Sequence, residues 1–153
     1  MQHKKTWTEM QHDILIEIVH HAEDNPHINS GRGIWCGYLY IYESKTPKEI
    51  FDRLWLEDKT YFFNPKSPGR ITHDYYELPI LSVVDFHGGI TYYDKRGQTE
   101  GHRCVIIGCD YNHLGDDAIH WSLDIIFGDL KVNASQARAW IDEQIANLNL
   151  PTP

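Results

Sequence analysis

Three shortages narrow the reading of this chain: long apolar runs, cysteine, and basic residues. The longest aliphatic stretches, such as Ile14-Leu15-Ile16, fall far short of the roughly 18 to 20 residues that cross a bilayer. The opening MQHKKTWTEM has two lysines but no apolar segment behind them, so neither a membrane anchor nor a signal peptide is expected. Against 22 Asp and Glu stand 14 Lys and Arg, a formal charge of −8 that makes a nucleic-acid backbone a poor partner. An anionic small molecule stays open, because a local pocket can oppose the global sign. The 3 cysteines, Cys36, Cys104 and Cys109, include no C-x-x-C pair, which removes zinc-ribbon and thioredoxin readings. So odd and sparse a set fits a reducing compartment rather than a disulfide framework. Cys104 and Cys109 belong to one expected strand and point to opposite faces, so they cannot pair within it. P-loop, G-x-G-x-x-G, G-x-S-x-G and H-E-x-x-H motifs are all missing. Cytoplasmic localisation is the expectation, with no complete catalytic motif.

The 153 residues, 41% of them hydrophobic, suit one domain over 1–153 that makes its core without a metal or disulfide. Thr6 to Asp24 reads as a helix: Trp7, Met10, Ile14 and Ile18 follow three-to-four spacing, with Thr6 and Glu9 as a capping box and Asn25-Pro26 as the stop. A loop over His27 to Gly33 leads to a strand over Ile34 to Tyr42, dense in aromatic and β-branched residues. Thr46-Pro47-Lys48-Glu49 opens a short helix that runs to about Trp55. Prolines and a glycine make a loop of Asn64 to Gly69, and Ile71 to Tyr76 fits a loop or an edge strand equally. A long central hairpin is expected to pair Leu78–Tyr93 with Arg103–Asp110, in a register that sets His87 opposite Asp110. Trp121 to Phe127 reads as a further strand, and Asn133 starts a last helix with Gln136 in its first turn. The class is α+β: an antiparallel sheet built on a central long hairpin, with N-terminal, short middle and C-terminal helices packed mainly on one face.

Two segments break local rules. In Asp85-Phe86-His87-Gly88-Gly89-Ile90-Thr91-Tyr92 a double glycine inside an expected strand gives no side chain to pack. A bulge or a ligand-facing notch would explain it. In Gly108-Cys109-Asp110-Tyr111-Asn112-His113-Leu114-Gly115-Asp116-Asp117 a hydrophobic strand ends in a loop crowded with carboxylates, an amide and a histidine. Such donors bind a divalent cation, orient a water, or simply make Asx turns with their own backbone. The spacing does not match the alternating ligands of an EF-hand, which argues against calcium. Cys109 has no basic neighbour to activate it. His20-His21 reads as solvated surface. The sequence also holds 5 Trp, 9 Tyr and 5 Phe, and doublets such as Tyr75-Tyr76 and Tyr92-Tyr93 send one ring outward, where it can stack on a base or enter a subunit interface. Arg32, Arg70, Arg96 and Arg103 lie in or beside loops, where they could meet phosphates.

Trp35-Cys36-Gly37-Tyr38, then His87-Gly88-Gly89-Ile90-Thr91-Tyr92, then the Gly108–Asp116 run and a closing helix, resemble a family of small uncharacterised proteins encoded by bacteriophages and prophages. The likeness covers about three quarters of the chain, with one departure: where the family often has a cysteine after the first aspartate of the second motif, this chain has Tyr111. The resemblance implies a protein of the infected bacterial cytoplasm, with interference in host defence as a setting but no activity to carry over. Two functions follow from the residues. One is non-catalytic binding of a small, nucleotide-derived host molecule by His87, Gly88, Gly89, Asp110, Asn112, His113 and Asp116, needing no cofactor. The other is a hydrolase that holds one divalent transition metal on His87, Asp110, His113 and Asp116. A protein–protein interaction module using the aromatic surface is the third reading, and a homo-oligomer is compatible with each. Whether the chain is an enzyme stays open at this level.

Overall fold

A computed structural model of the chain describes residues 4–21, 34–55, 80, 83–111 and 121–150. The expected loops at 27–33 and 64–69, the 71–76 segment, Arg32, Arg70, Tyr75-Tyr76, Asn112, His113 and Asp116 lie outside the described residues. The antiparallel α+β class holds. Strands β1 (Lys4–Gln11), β2 (Ile14–His21), β3 (Ile34–Tyr42), β4 (Tyr92–Arg96) and β5 (Cys104–Asp110) form one sheet in the order β1-β2-β3-β5-β4. Every neighbouring pair is antiparallel. Helix α1 (Lys48–Leu54) and the long α2 (Leu123–Leu148) are the α-helices of the described residues. No helix among them is long and apolar enough to cross a membrane.

The expected N-terminal helix is instead the β1–β2 hairpin. Its turn residues His12 and Asp13 have φ of 54° and 65°, the paired left-handed geometry of a two-residue type I′ turn. ILIEIVHH serves a period of two as readily as one of 3.6. Ile14, Ile16 and Ile18 go inward and their β-branching favours the strand. The supposed capping residues Thr6 and Glu9 sit along β1.

The expected strand at Trp121–Phe127 and the expected helix start at Asn133 merge into α2. Ser122 is the N-cap, its hydroxyl accepting from the Ile125 N–H at 3.3 Å. Ile126, Leu130, Ala134, Ala137, Ile141 and Ile145 then make one buried stripe. This stripe packs on β2 and β3 and forms the core with Ile16, Leu39, Ile41, Val105 and Ile107. Gly37 permits the approach, since a Cβ there would lie 2.7 Å from Leu130 Cδ1. At α1, Pro47 occupies the N-cap and Thr46 donates to the Tyr42 carbonyl rather than capping the helix.

The central hairpin is shorter than expected. Its ladder pairs Tyr92 with Gly108 and Asp94 with Ile106, and Tyr92 is its first residue, so His87 has no place in it opposite Asp110. The 83–91 stretch leaves the sheet because Gly88 and Gly89 have φ of 68° and 87°, closing a turn in which the Gly89 N–H donates to the Phe86 carbonyl. The freed backbone is taken up by α2. The Asp85 N–H donates to Gln136 Oε1 at 2.9 Å, and Asn133 Nδ2 donates to the Asp85 carbonyl at 3.0 Å.

Candidate functional site

The glycine notch creates a recess, although not the one its sequence neighbours suggest. Where the Asp85–Gly88 turn meets α2, an open cavity of about 410 Å³ is lined by Asp85, Phe86, His87 and Gly88 from the turn and by Asp129, Val132, Asn133 and Gln136 from the helix. The four helix residues follow i, i+3, i+4, i+7 spacing and so share one face.

His87 is held by rings. Its imidazole lies parallel to Tyr111 at 4.8 Å and meets the Trp121 ring at 70°, while Tyr111 and Trp121 stand edge to face at 4.7 Å. Behind this triad, the Tyr111 hydroxyl donates to Asp129 Oδ2 at 3.2 Å. Burial, with Cys109 and Asp129 nearby, pushes the Tyr111 hydroxyl well above the ordinary tyrosine range, so it is a donor at neutral pH. Burial likewise pushes the Cys109 thiol up, despite a hydrogen bond from the His87 backbone. A buried thiol of this kind is no nucleophile at neutral pH.

Among the described residues two buried side-chain polar atoms have no hydrogen-bond partner, Trp121 Nε1 in the triad and Asn133 Oδ1 in a residue of the cavity wall. Asn133 is 2% exposed. Its Nδ2 is engaged by Asp85 and Gln136 while its carbonyl oxygen, in a residue of the cavity wall, is left unmet. Buried acceptors are normally paired, so this one marks the site.

Of the residues singled out in the sequence, His87 and Gly88 line the cavity, while Gly89 shapes the turn beside it. Asp110 does not join them. Alternation along β5 sends it to the side opposite Cys109 and Tyr111, where Thr91 Oγ1 donates to its carboxylate at 3.5 Å. His87 packs on the Tyr111 side. Asn112, His113 and Asp116 lie outside the described residues. Among the described residues no three His, Cys, Asp or Glu side chains gather closely enough to hold a metal ion. Sequence reasoning missed Asp129, Val132, Asn133 and Gln136 as lining residues, because their shared helical face is visible only when the helix starts at Leu123.

The opposite sheet face carries the tyrosines of β3 and β4. Tyr38 and Tyr92 meet edge to face at 5.0 Å, so the outward ring of the Tyr92-Tyr93 pair finds its stacking partner within the chain. Tyr93 turns inward and donates to the Leu54 carbonyl at 2.6 Å. A smaller recess of about 180 Å³ lies on this face, lined by residues that include Glu17, Tyr38, Tyr40, Tyr92 and Arg96. Several of its polar groups are already engaged: Tyr40 donates to Glu17, Tyr92 donates to the neighbouring Asp94, and Arg96 lies 3.4 Å from Asp94. His20 and His21 sit half-buried on β2, with His20 4.3 Å from the Trp35 ring. Arg103 is committed to Glu43 and stacks on Trp55. Comparison of the chain with family models, with curated proteins and with solved structures gives no match in any of the three.

Proposed function

We propose that this protein binds a small organic molecule, without transforming it, in the cavity between the Asp85–Gly88 turn and α2. The observation that carries the reading is the recess itself, about 410 Å³ and within the ordinary range of ligand sites, with an unmet buried acceptor in its wall. The rest of the site is preorganised. Asn133 and Gln136 hold the Asp85 backbone, and two rings fix His87, Tyr111 lying parallel to it and Trp121 meeting it edge-on. A rigid site loses little entropy on binding.

Binding is favoured over metal-dependent hydrolysis by the placement of two of the four candidate ligands: His87 packs on the Tyr111 side of the chain, while Asp110 belongs to the other face of β5. The resemblance to phage-encoded proteins supplies the setting of this proposal, an infected bacterial cytoplasm in which the protein sequesters a host molecule and so blunts host defence. A nucleotide-derived ligand would enter by its base, since two carboxylates line the recess.

Val132 is 57% exposed at the cavity, so Val132→Trp should fill the recess without disturbing the core. Native mass spectrometry should find a small mass on the purified wild-type protein and none on Val132→Trp, with both equally folded by circular dichroism. Elemental analysis of the same samples tests the alternative. A stoichiometric transition metal lost in His87→Ala would replace this reading with the hydrolase.

A further inference from the structure

We infer that the cavity takes a small organic cation carrying N–H donors, an alkylammonium or a guanidinium. The inference rests on the small-molecule reading above and names the chemistry of its ligand.

The two acidic lining groups, Asp85 and Asp129, come from different elements, one from the turn and one from α2. Among the described residues no Lys or Arg lines the cavity and neither carboxylate is ion-paired. Asp129 accepts a hydrogen bond from a neutral group, the Tyr111 hydroxyl, which brings no positive charge to it. Beside them is Asn133 Oδ1, a carbonyl acceptor with no donor, in a side chain that is 2% exposed. Two carboxylates call for positive charge, and the amide oxygen calls for an N–H; an ammonium or guanidinium head brings both, and charge-assisted hydrogen bonds are the stronger kind. Phe86, 3% exposed, gives the cavity an apolar wall for a methylene stem. A phosphate would meet only repulsion from this lining.

The test is an amide-resolved NMR titration of the full chain at fixed ionic strength with four probes. Methylguanidinium has positive charge and N–H donors, urea has donors without charge, tetramethylammonium has positive charge without donors, and phenyl phosphate has negative charge and no N–H donor. Methylguanidinium should saturate shifts at the Gly88 amide and the Asn133 side-chain NH₂, and the other three should not. Asp85→Asn and Asp129→Asn keep size and one acceptor oxygen while removing the charge, and each should weaken methylguanidinium about three- to tenfold. Unchanged amide positions elsewhere certify that these variants are folded. Urea or tetramethylammonium saturating the same amides as tightly would overturn the cation-donor assignment. Phenyl phosphate or a neutral metabolite saturating them, with methylguanidinium silent, would overturn it too but leave the cavity a small-molecule site. No saturation by any small molecule would remove both. A blocked arginine, N-acetylarginine methylamide, separates the two sources of such a group: about tenfold tighter binding than methylguanidinium assigns a peptide side chain, and equal binding a free metabolite.

Discussion

Among single residues, Glu43 is the clearest case of a side chain whose charge is fixed by its surroundings. It is 8% exposed, yet four N–H groups converge on its carboxylate: the Gly101 and Arg103 backbones, Arg103 Nε at 2.8 Å and Arg103 Nη2 at 2.9 Å. The Arg103 fork is itself sandwiched against Trp55 and Phe51. The guanidinium bond and the two backbone bonds pull the Glu43 carboxyl from 4.5 down to about 2, against the opposing effect of burial. With the folded pKa below the unfolded one, the unfolded chain takes up the proton first. Its stabilisation is therefore complete above the unfolded pKa and fades as pH falls from about 4.5 towards about 2. Glu43→Gln should cost about 2 kcal/mol at neutral pH. Urea unfolding at several pH values should show the gap between wild type and variant closing over that window; a gap constant down to pH 2 would mean that the charge plays no part. Residue-scale anomalies were legible in the sequence: the double glycine after His87 did mark a turn at a recess. The partner assigned to His87 was not, because the opposing residue depended on a hairpin register that the glycines themselves cut short.

Elements were legible where composition left one solution. IWCGYLYIY and CVIIGCD are β3 and β5: aromatic and β-branched residues favour the strand in both, and in β5 a near-continuous apolar run matches burial along nearly its whole length. The N-terminal hairpin and the start of α2 were hidden for different reasons. ILIEIVHH fits two periodicities, and its turn pair His12-Asp13 lacks the Asn-Gly signature. In α2, Gly128 and Asn133 look like breaks, yet both are interior to the helix. The two kinds of glycine can be told apart by experiment. A Cβ at Gly128 meets nothing within 4 Å, so Gly128→Ala should add about 0.5 to 1 kcal/mol through helix propensity. At Gly108 a Cβ would collide with the Gly37 carbonyl and come 2.5 Å from Tyr38 Cδ1, because the tyrosine ring leans over the glycine. Gly108→Ala should therefore cost about 1 to 3 kcal/mol. Paired denaturation curves decide the point, and a destabilised Gly128→Ala would mean that α2 is not continuous through that position.

At the scale of the molecule, the class was legible and the strand order was not, since order depends on long-range pairings that local pattern does not encode. The cavity was hidden for a related reason. It joins a turn near residue 87 to a helix face near 133 through side chains that bind backbone, Asn133 and Gln136 on Asp85, and no periodicity announces such docking. The strand order has a consequence for stability. β3 and β5 are interior, whereas β1 is an edge strand exposed along most of its length, with Met10 51% exposed. Among the described residues no strand pairs with its outer edge, the arrangement that invites a second chain. In dilute monomer the β1 amides should exchange by local fraying, on the order of 100-fold faster than those of Leu39 and Ile107, which lie at the heart of the core and should exchange only by global unfolding. Hydrogen exchange at two protein concentrations checks this. If β1 is as protected as β3 when concentrated and loses that protection on dilution, a second copy of the chain is pairing with the edge, and the homo-oligomer that the sequence left open acquires a defined interface. Equal protection at both concentrations would instead mean that β1 belongs to the same cooperative unit as the core.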